Sequence, residues 1–201
     1  MKKISKDKII IIPGLGNDTK YYSIITSFWK YIGYDVSIIS VDWVNSNLTL
    51  SNEIHKIKSL RDKLINESIN SSRITLIGVS AGGSLALNTY FSYPNDFHKV
   101  VNICGRLKRG QDTNFQLRAK TSKLFRESGL SCENKLKDIE NCQKEKILSI
   151  SAKFGDELVP KECSKVDNVQ NIEIFSIEHL MSIFLSLTFY SAEIFKFINK
   201  V

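Results

Sequence analysis

The stretch "RITLIGVSAGGSLALNTY", residues 73–90, sets one hydroxyl, Ser80, among Gly78, Gly82 and Gly83, where an apolar run gives way to a helix-like segment. A strand that turns into a helix within one residue forces that residue into a strained, positive-φ conformation. The residues two places before and after it must be small, because the two backbones crowd there. Gly78 and Gly82 occupy those places. The turn lifts the Ser80 hydroxyl off the sheet edge and presents the Ala81 N–H at the start of the helix, where peptide dipoles favour negative charge. One local device therefore supplies a nucleophile and an oxyanion donor. A serine hydroxyl is a weak nucleophile at neutral pH and needs a base that a third group orients. Three histidines exist for that role: His55 in "NEIHKIKSL", His98 in "NDFHKVV" and His179 in "IFSIEHLMS".

Strand-like and helix-like segments alternate around these residues. The predicted strands are Lys8–Ile12, Asp35–Val41, Arg73–Val79, Lys99–Ile103, Lys146–Ser151 and Asn171–Ile177, several of them continuous Ile/Val/Leu runs, as in strands buried on both faces. The predicted helices are Thr19–Tyr31, Ser51–Asn70, Ala81–Ser92, a segment within Asp112–Lys144, and Met181–Lys200. Such alternation predicts an α/β protein: a three-layer α/β/α sandwich around a mostly parallel sheet of six strands, in one domain spanning residues 1–201. The connection from Gly105 to Glu145 is long for this architecture. Leu117, Thr121, Leu124 and Phe125 have helical spacing there, with Arg118, Lys120, Lys123 and Arg126 on the other faces, so a basic, lid-like helical insertion is expected over 106–145.

"GVSAG", placed after "RITLI" and before "GSLALNTY", resembles the nucleophile elbow of the α/β-hydrolase family. That resemblance implies the chain order serine, acid, histidine. The family carries its histidine between the last strand and the last helix, which selects His179. Its acid follows the penultimate strand, and "ILSISAKFGDELVP" resembles a G-D-x-x-V-P acid loop, which selects Asp156, with Glu157 and Glu178 as rivals. The second oxyanion donor comes from the loop after the first strand, here "IIIIPGLGNDT", with the Leu15 N–H as candidate. This chain has Pro13-Gly14 where the family often has His-Gly. The family's usual eight strands shrink to six if the first two are missing. The implied activity is serine hydrolysis of a carboxylic ester or thioester through an acyl-enzyme on Ser80, needing no metal or organic cofactor.

Two other readings compete. "GLGNDT" after the first strand, with Asp42 after the second, suggests a nucleotide-binding Rossmann-like protein, although Thr19 stands where a third glycine belongs. The same hydrolase fold could also serve binding alone. The net charge is +7, and Arg106, Lys108, Arg109, Arg118, Lys120, Lys123 and Arg126 stand against a single acid, Asp112, within 106–126. That concentration suggests an insertion that overhangs the active site and favours an anionic acyl substrate, or an acyl chain on a phosphorylated carrier, met by Arg118, Lys120 and Lys123. An acidic partner or a membrane surface is the alternative. Only Phe115 and Phe125 could stack on bases there, so no nucleic-acid partner is expected. Cys104, Cys132, Cys142 and Cys163 show no C-x-x-C pair and read as reduced structural thiols. The apolar part of the N-terminus, Ile9–Ile12, is shorter than a signal core, and no run is long enough for a membrane span. A cytoplasmic protein is expected.

Overall fold

A computed structural model describes residues 7–67, 73–110 and 113–200. Six strands, β1 (Asp7–Ile12), β2 (Tyr34–Ile38), β3 (Ile74–Val79), β4 (Lys99–Ile103), β5 (Ile147–Ala152) and β6 (Gln170–Ile174), form one sheet in the order β2-β1-β3-β4-β5-β6. Every neighbouring pair is parallel. The helices are α1 (Thr19–Ile25), α2 (Leu50–Asn66), α3 (Ala81–Ser92), α4 (Thr113–Thr121), α5 (Lys123–Lys135), the single turns α6 (Asn141–Lys144) and α7 (Lys161–Ser164), α8 (His179–Leu187) and α9 (Ser191–Ile198).

The isoleucine run of β1 shows why continuous apolar strands mean two covered faces. Successive side chains point to opposite sides. Ile10 and Ile12 join a core with Ile57 of α2, Leu85 of α3 and Leu124 of α5. Ile9 and Ile11 join a second core with Tyr22 of α1, Ile183 of α8 and Phe197 of α9. All four isoleucines are fully buried.

The elements depart from expectation at several ends, each for a local reason. Helix Thr19–Tyr31 stops at Ile25 because the Thr26 hydroxyl donates back to the Tyr22 carbonyl at 2.7 Å, and a 3-10 turn, Ser27–Lys30, follows. The second strand ends at Ile38, after which Asn17 Oδ1 accepts the Val41 N–H at 2.9 Å and draws the chain toward the β1–α1 loop. Positions 68–70 of helix 51–70 lie outside the described residues. The last strand ends at Ile174, where the Ser176 N–H turns back to the Ile174 carbonyl at 3.1 Å. Helix Met181–Lys200 begins two residues earlier, capped by the Glu178 carboxylate, and breaks at Thr188–Tyr190 into α8 and α9.

The segment 106–145 divides into parts with different surroundings. Ser122 ends α4 and caps α5, its hydroxyl accepting the Phe125 N–H at 3.1 Å and donating to the Trp43 carbonyl at 2.6 Å. Helix α5 is then fixed to α3 by buried polar groups: Ser128 Oγ lies 2.8 Å from Ser84 Oγ, and Asn88 donates to the Ser128 carbonyl at 2.8 Å. It therefore packs within the helix layer on this face of the sheet. The predicted apolar stripe shifts at the break: Phe115 and Ala119 form the buried side of α4, while Leu117 is exposed. Arg106 is also buried rather than part of an exposed basic surface. Its guanidinium donates to the carbonyls of Arg109 at 2.6 Å and Leu158 at 2.8 Å.

Candidate active site

Ser80 is the single residue between β3 and α3, which it caps at φ +53°, the conformation expected of the elbow. A Cβ on Gly78 would lie 2.6 Å from the Gly83 Cα, and one on Gly82 would strike the Ile12 carbonyl. Both positions must be glycine for strand and helix to meet. The Ser80 N–H is held by the Ile103 carbonyl at 2.9 Å, which anchors the strained residue to β4.

Three side chains from distant loops converge at this C-terminal edge of the sheet. His179, the first residue of α8, points Nε2 at Ser80 Oγ at 2.9 Å and Nδ1 at Asp156 Oδ2 at 2.9 Å. Asp156 lies in the turn after β5, where its other oxygen accepts the N–H groups of Leu158 at 2.9 Å and Val159 at 2.7 Å. The carboxylate is thus aimed by its own backbone, and both it and the imidazole are almost completely buried. Of the rival acids, Glu157 accepts the His179 backbone N–H at 2.9 Å, and Glu178 caps α8 through the N–H groups of Leu180 and Met181. Neither touches the imidazole Nδ1 in place of Asp156. Together they fix the helix start from which His179 projects, a supporting role visible in sequence only as two acids next to a helix N-terminus. The remaining histidines lie elsewhere: His55 meets the Tyr93 hydroxyl, and His98 bonds to the Ile198 carbonyl at 2.8 Å.

The β1–α1 loop closes over the serine. A Cβ on Gly14 would lie 2.8 Å from the Ser80 Cβ, so only glycine admits this approach. Among the described residues, neither the Leu15 nor the Ala81 N–H has an acceptor. Burial pushes the Tyr22 hydroxyl up to about 12 against an opposing hydrogen bond from the Gly14 backbone, so it stays neutral beside the loop. At the rim, Tyr21 is raised by burial and then by the carboxylates of Glu178 and Asp18. Beneath the acid loop, burial and then the Asp156 charge hold the Cys104 thiol well above its ordinary range, which leaves it unreactive. All four cysteines are free. The Asp18 carboxylate accepts the Tyr21 N–H at 2.9 Å and so occupies the α1 N-terminus, the position a Rossmann-like reading requires for a phosphate.

A cavity of about 310 Å³ opens in front of Ser80, walled by Leu15, Phe125, Leu158, Val159, Leu180 and Ile183. Besides Ser80 and His179, polar side chains on its wall include Asn17, Asp18, Tyr21, Tyr22, Arg106 and Arg118. No cluster of three or more His, Cys, Asp or Glu side chains among the described residues is arranged to hold a metal ion.

A sequence model of the phospholipase/carboxylesterase family matches residues 6–139. The chain belongs to that family. The match ends before Asp156 and His179. This family member is also similar in fold to solved α/β-hydrolases. It superposes on a monoacylglycerol lipase from Paleococcus ferrophilus with a TM-score of 0.66 at 15% identity, covering 97% of this chain and 96% of that one. A structure from a study of LipS and LipT, two metagenome-derived lipolytic enzymes, gives 0.69 at 13% identity, with 98% and 95% covered. A lipase-esterase related protein from Clostridium acetobutylicum gives 0.62 at 16% identity, with 98% and 96% covered. No curated protein matches the chain in sequence. The phospholipase/carboxylesterase assignment makes the protein an esterase- or lipase-like hydrolase, and its described residues form the six-stranded parallel sheet of an α/β-hydrolase fold. Among the described residues, no single helix is long and apolar enough to cross a membrane.

Proposed function

We propose that the protein is a serine hydrolase that cleaves a carboxylic ester or thioester through an acyl-enzyme on Ser80. The observation that carries this reading is the unbroken hydrogen-bonded run from Ser80 Oγ through the His179 imidazole to Asp156, with 2.9 Å at each junction. In the first half-reaction Ser80 Oγ attacks the acyl carbon while His179 Nε2 takes its proton. Asp156 keeps Nδ1 protonated, so that Nε2 is the basic nitrogen, and it stabilises the imidazolium that forms. The N–H groups of Ala81 and Leu15 bind the developing oxyanion. Collapse of the tetrahedral intermediate breaks the bond to the leaving group, which receives the proton from Nε2. Water deprotonated by His179 then attacks the acyl-enzyme and returns Ser80 with its proton. The apolar cavity favours this chemistry because exclusion of water strengthens each of these polar contacts.

Labelling of the intact protein with a fluorophosphonate probe, with Ser80→Ala as control, tests the nucleophile. A screen of p-nitrophenyl esters and acyl-CoA thioesters of graded length then separates esterase from thioesterase. Wild-type protein should label and turn over at least one series, and Ser80→Ala should do neither. A wild-type protein that neither labels nor hydrolyses either series would favour the non-catalytic reading of the same fold.

A further inference from the structure

The charged groups that share the cavity wall with Arg118 have uses that the chain itself accounts for. The Asp18 carboxylate caps α1. The Arg106 guanidinium is spent on the carbonyls of Arg109 and Leu158. Tyr21 presents a neutral phenol. Arg118, on α4, is half-buried at this wall, and its guanidinium has no carboxylate, carbonyl or aromatic partner among the described residues. Among neighbouring cations, Lys108 pairs with Asp167, Arg109 with Glu133 and Lys123 with Glu127, whereas Lys120 and Arg126, which have no acid partner among the described residues, are exposed to solvent as Arg118 is not. Holding a partly desolvated guanidinium without a counter-charge is unfavourable, whereas a planar five-donor fork over an apolar cavity suits an incoming oxyanion.

We propose that Arg118 sets substrate choice by binding an anionic group, a carboxylate or a phosphate, carried by the acyl ester that Ser80 attacks. The proposal rests on the serine-hydrolase reading and narrows it to one substrate class. The anion docks on Arg118 while the ester carbonyl lies between Ser80 and the Leu15 and Ala81 N–H groups. The aliphatic part between them packs on Phe125, Leu180 and Ile183. Asp18, an acid on the same wall, forms no ion pair with Arg118, and one of its oxygens is held by the Tyr21 N–H. Bidentate charge-assisted hydrogen bonds of this kind change affinity by roughly 10- to 100-fold.

Two substrate pairs test the proposal and tell its sources apart. One compares the p-nitrophenyl monoester of glutarate with its methyl-capped neutral counterpart, and the other an acylglycerol phosphate with the same acylglycerol. Wild-type protein should prefer the anionic member of at least one pair by about tenfold or more in kcat/KM, and the preference should shrink as salt rises. The pair that responds identifies carboxylate or phosphate. In Arg118→Gln the anionic-to-neutral ratio should fall about tenfold or more, and Arg118→Lys should restore part of it. Lys63→Gln, which removes one positive charge from an exposed site on α2 away from the cavity, should leave the ratio as in wild type. A wild-type ratio near one in both pairs overturns the proposal, as does a ratio unaltered in Arg118→Gln. Fluorophosphonate labelling of each variant separates the two levels. Protein that labels but shows no anion preference refutes the role of Arg118 alone, whereas wild-type protein that neither labels nor turns over any ester refutes the serine-hydrolase reading and this inference with it.

Discussion

Replacing Asp156 by asparagine should disable turnover while leaving the fold intact, and the reason lies in which oxygen does what. Oδ1 accepts the N–H groups of Leu158 and Val159, and Oδ2 faces His179 Nδ1. An asparagine at 156 must choose. With its carbonyl toward the two backbone donors, its NH2 group faces Nδ1 and forces that nitrogen to become an acceptor. The imidazole proton then sits on Nε2, which cannot take the proton of Ser80. The alternative flip turns the NH2 group onto two partly buried N–H groups, at a cost of up to about 1–3 kcal/mol for each donor left unsatisfied. Neither histidine tautomer carries a comparable penalty, so the first arrangement wins. The expected loss in kcat is about 10⁴-fold, equivalent to ~5 kcal/mol of barrier. Steady-state hydrolysis of the best p-nitrophenyl ester measures it, alongside the rate of fluorophosphonate labelling. Circular dichroism and thermal melting control for the fold, which an isosteric change should preserve. Asp156→Asn turning over within about tenfold of wild type would refute the assignment of Asp156 as the orienting acid.

Two further outcomes test the scaffold rather than the chemistry. Gly82→Ala drives a methyl group into the Ile12 carbonyl and within 2.8 Å of the Pro13 oxygen, backbone atoms that cannot move independently of β1. A destabilisation of ~2 kcal/mol or more, about 4–8 °C in Tm, should accompany loss of activity, and an unchanged melting curve would show that the elbow tolerates the methyl group. Tyr22, raised to about 12 by burial, contributes stability that is complete below its unfolded value near 10 and is lost as pH rises through about 12. Denaturant titrations across that window should show Tyr22→Phe losing less stability than wild type, by up to ~2 kcal/mol. Tyr90, shifted the same way, keeps the effect from vanishing. Equal alkaline losses in both proteins would contradict this account.

The parallel sheet and the elbow were legible in the sequence because both depend on short-range chemistry. Ile9–Ile12 had to be a doubly covered strand, since four consecutive large apolar side chains cannot alternate with solvent. Gly78 and Gly82 marked the one place where strand and helix backbones could touch. The candidate acid and histidine were reached through the resemblance of "GVSAG" and "FGDELVP" to a known pattern, because nothing local ties Asp156 to His179 across 23 residues. The tertiary structure decided what depends on groups far apart in the chain. The sheet order lets β5 and β6 deliver their loops to the serine. Glu157 and Glu178 divide the work of holding α8. Ser128 finds Ser84 and Asn88, which makes α5 part of the core layer, and Arg106 is drawn into the interior by the Leu158 carbonyl of the acid loop together with the Arg109 carbonyl. Helix ends shifted for the same reason: Thr26, Ser122 and Glu178 each bond to a backbone group whose availability is settled only once the neighbouring turns have formed. Periodicity records which face of an element is apolar; only packing determines which polar group meets which partner.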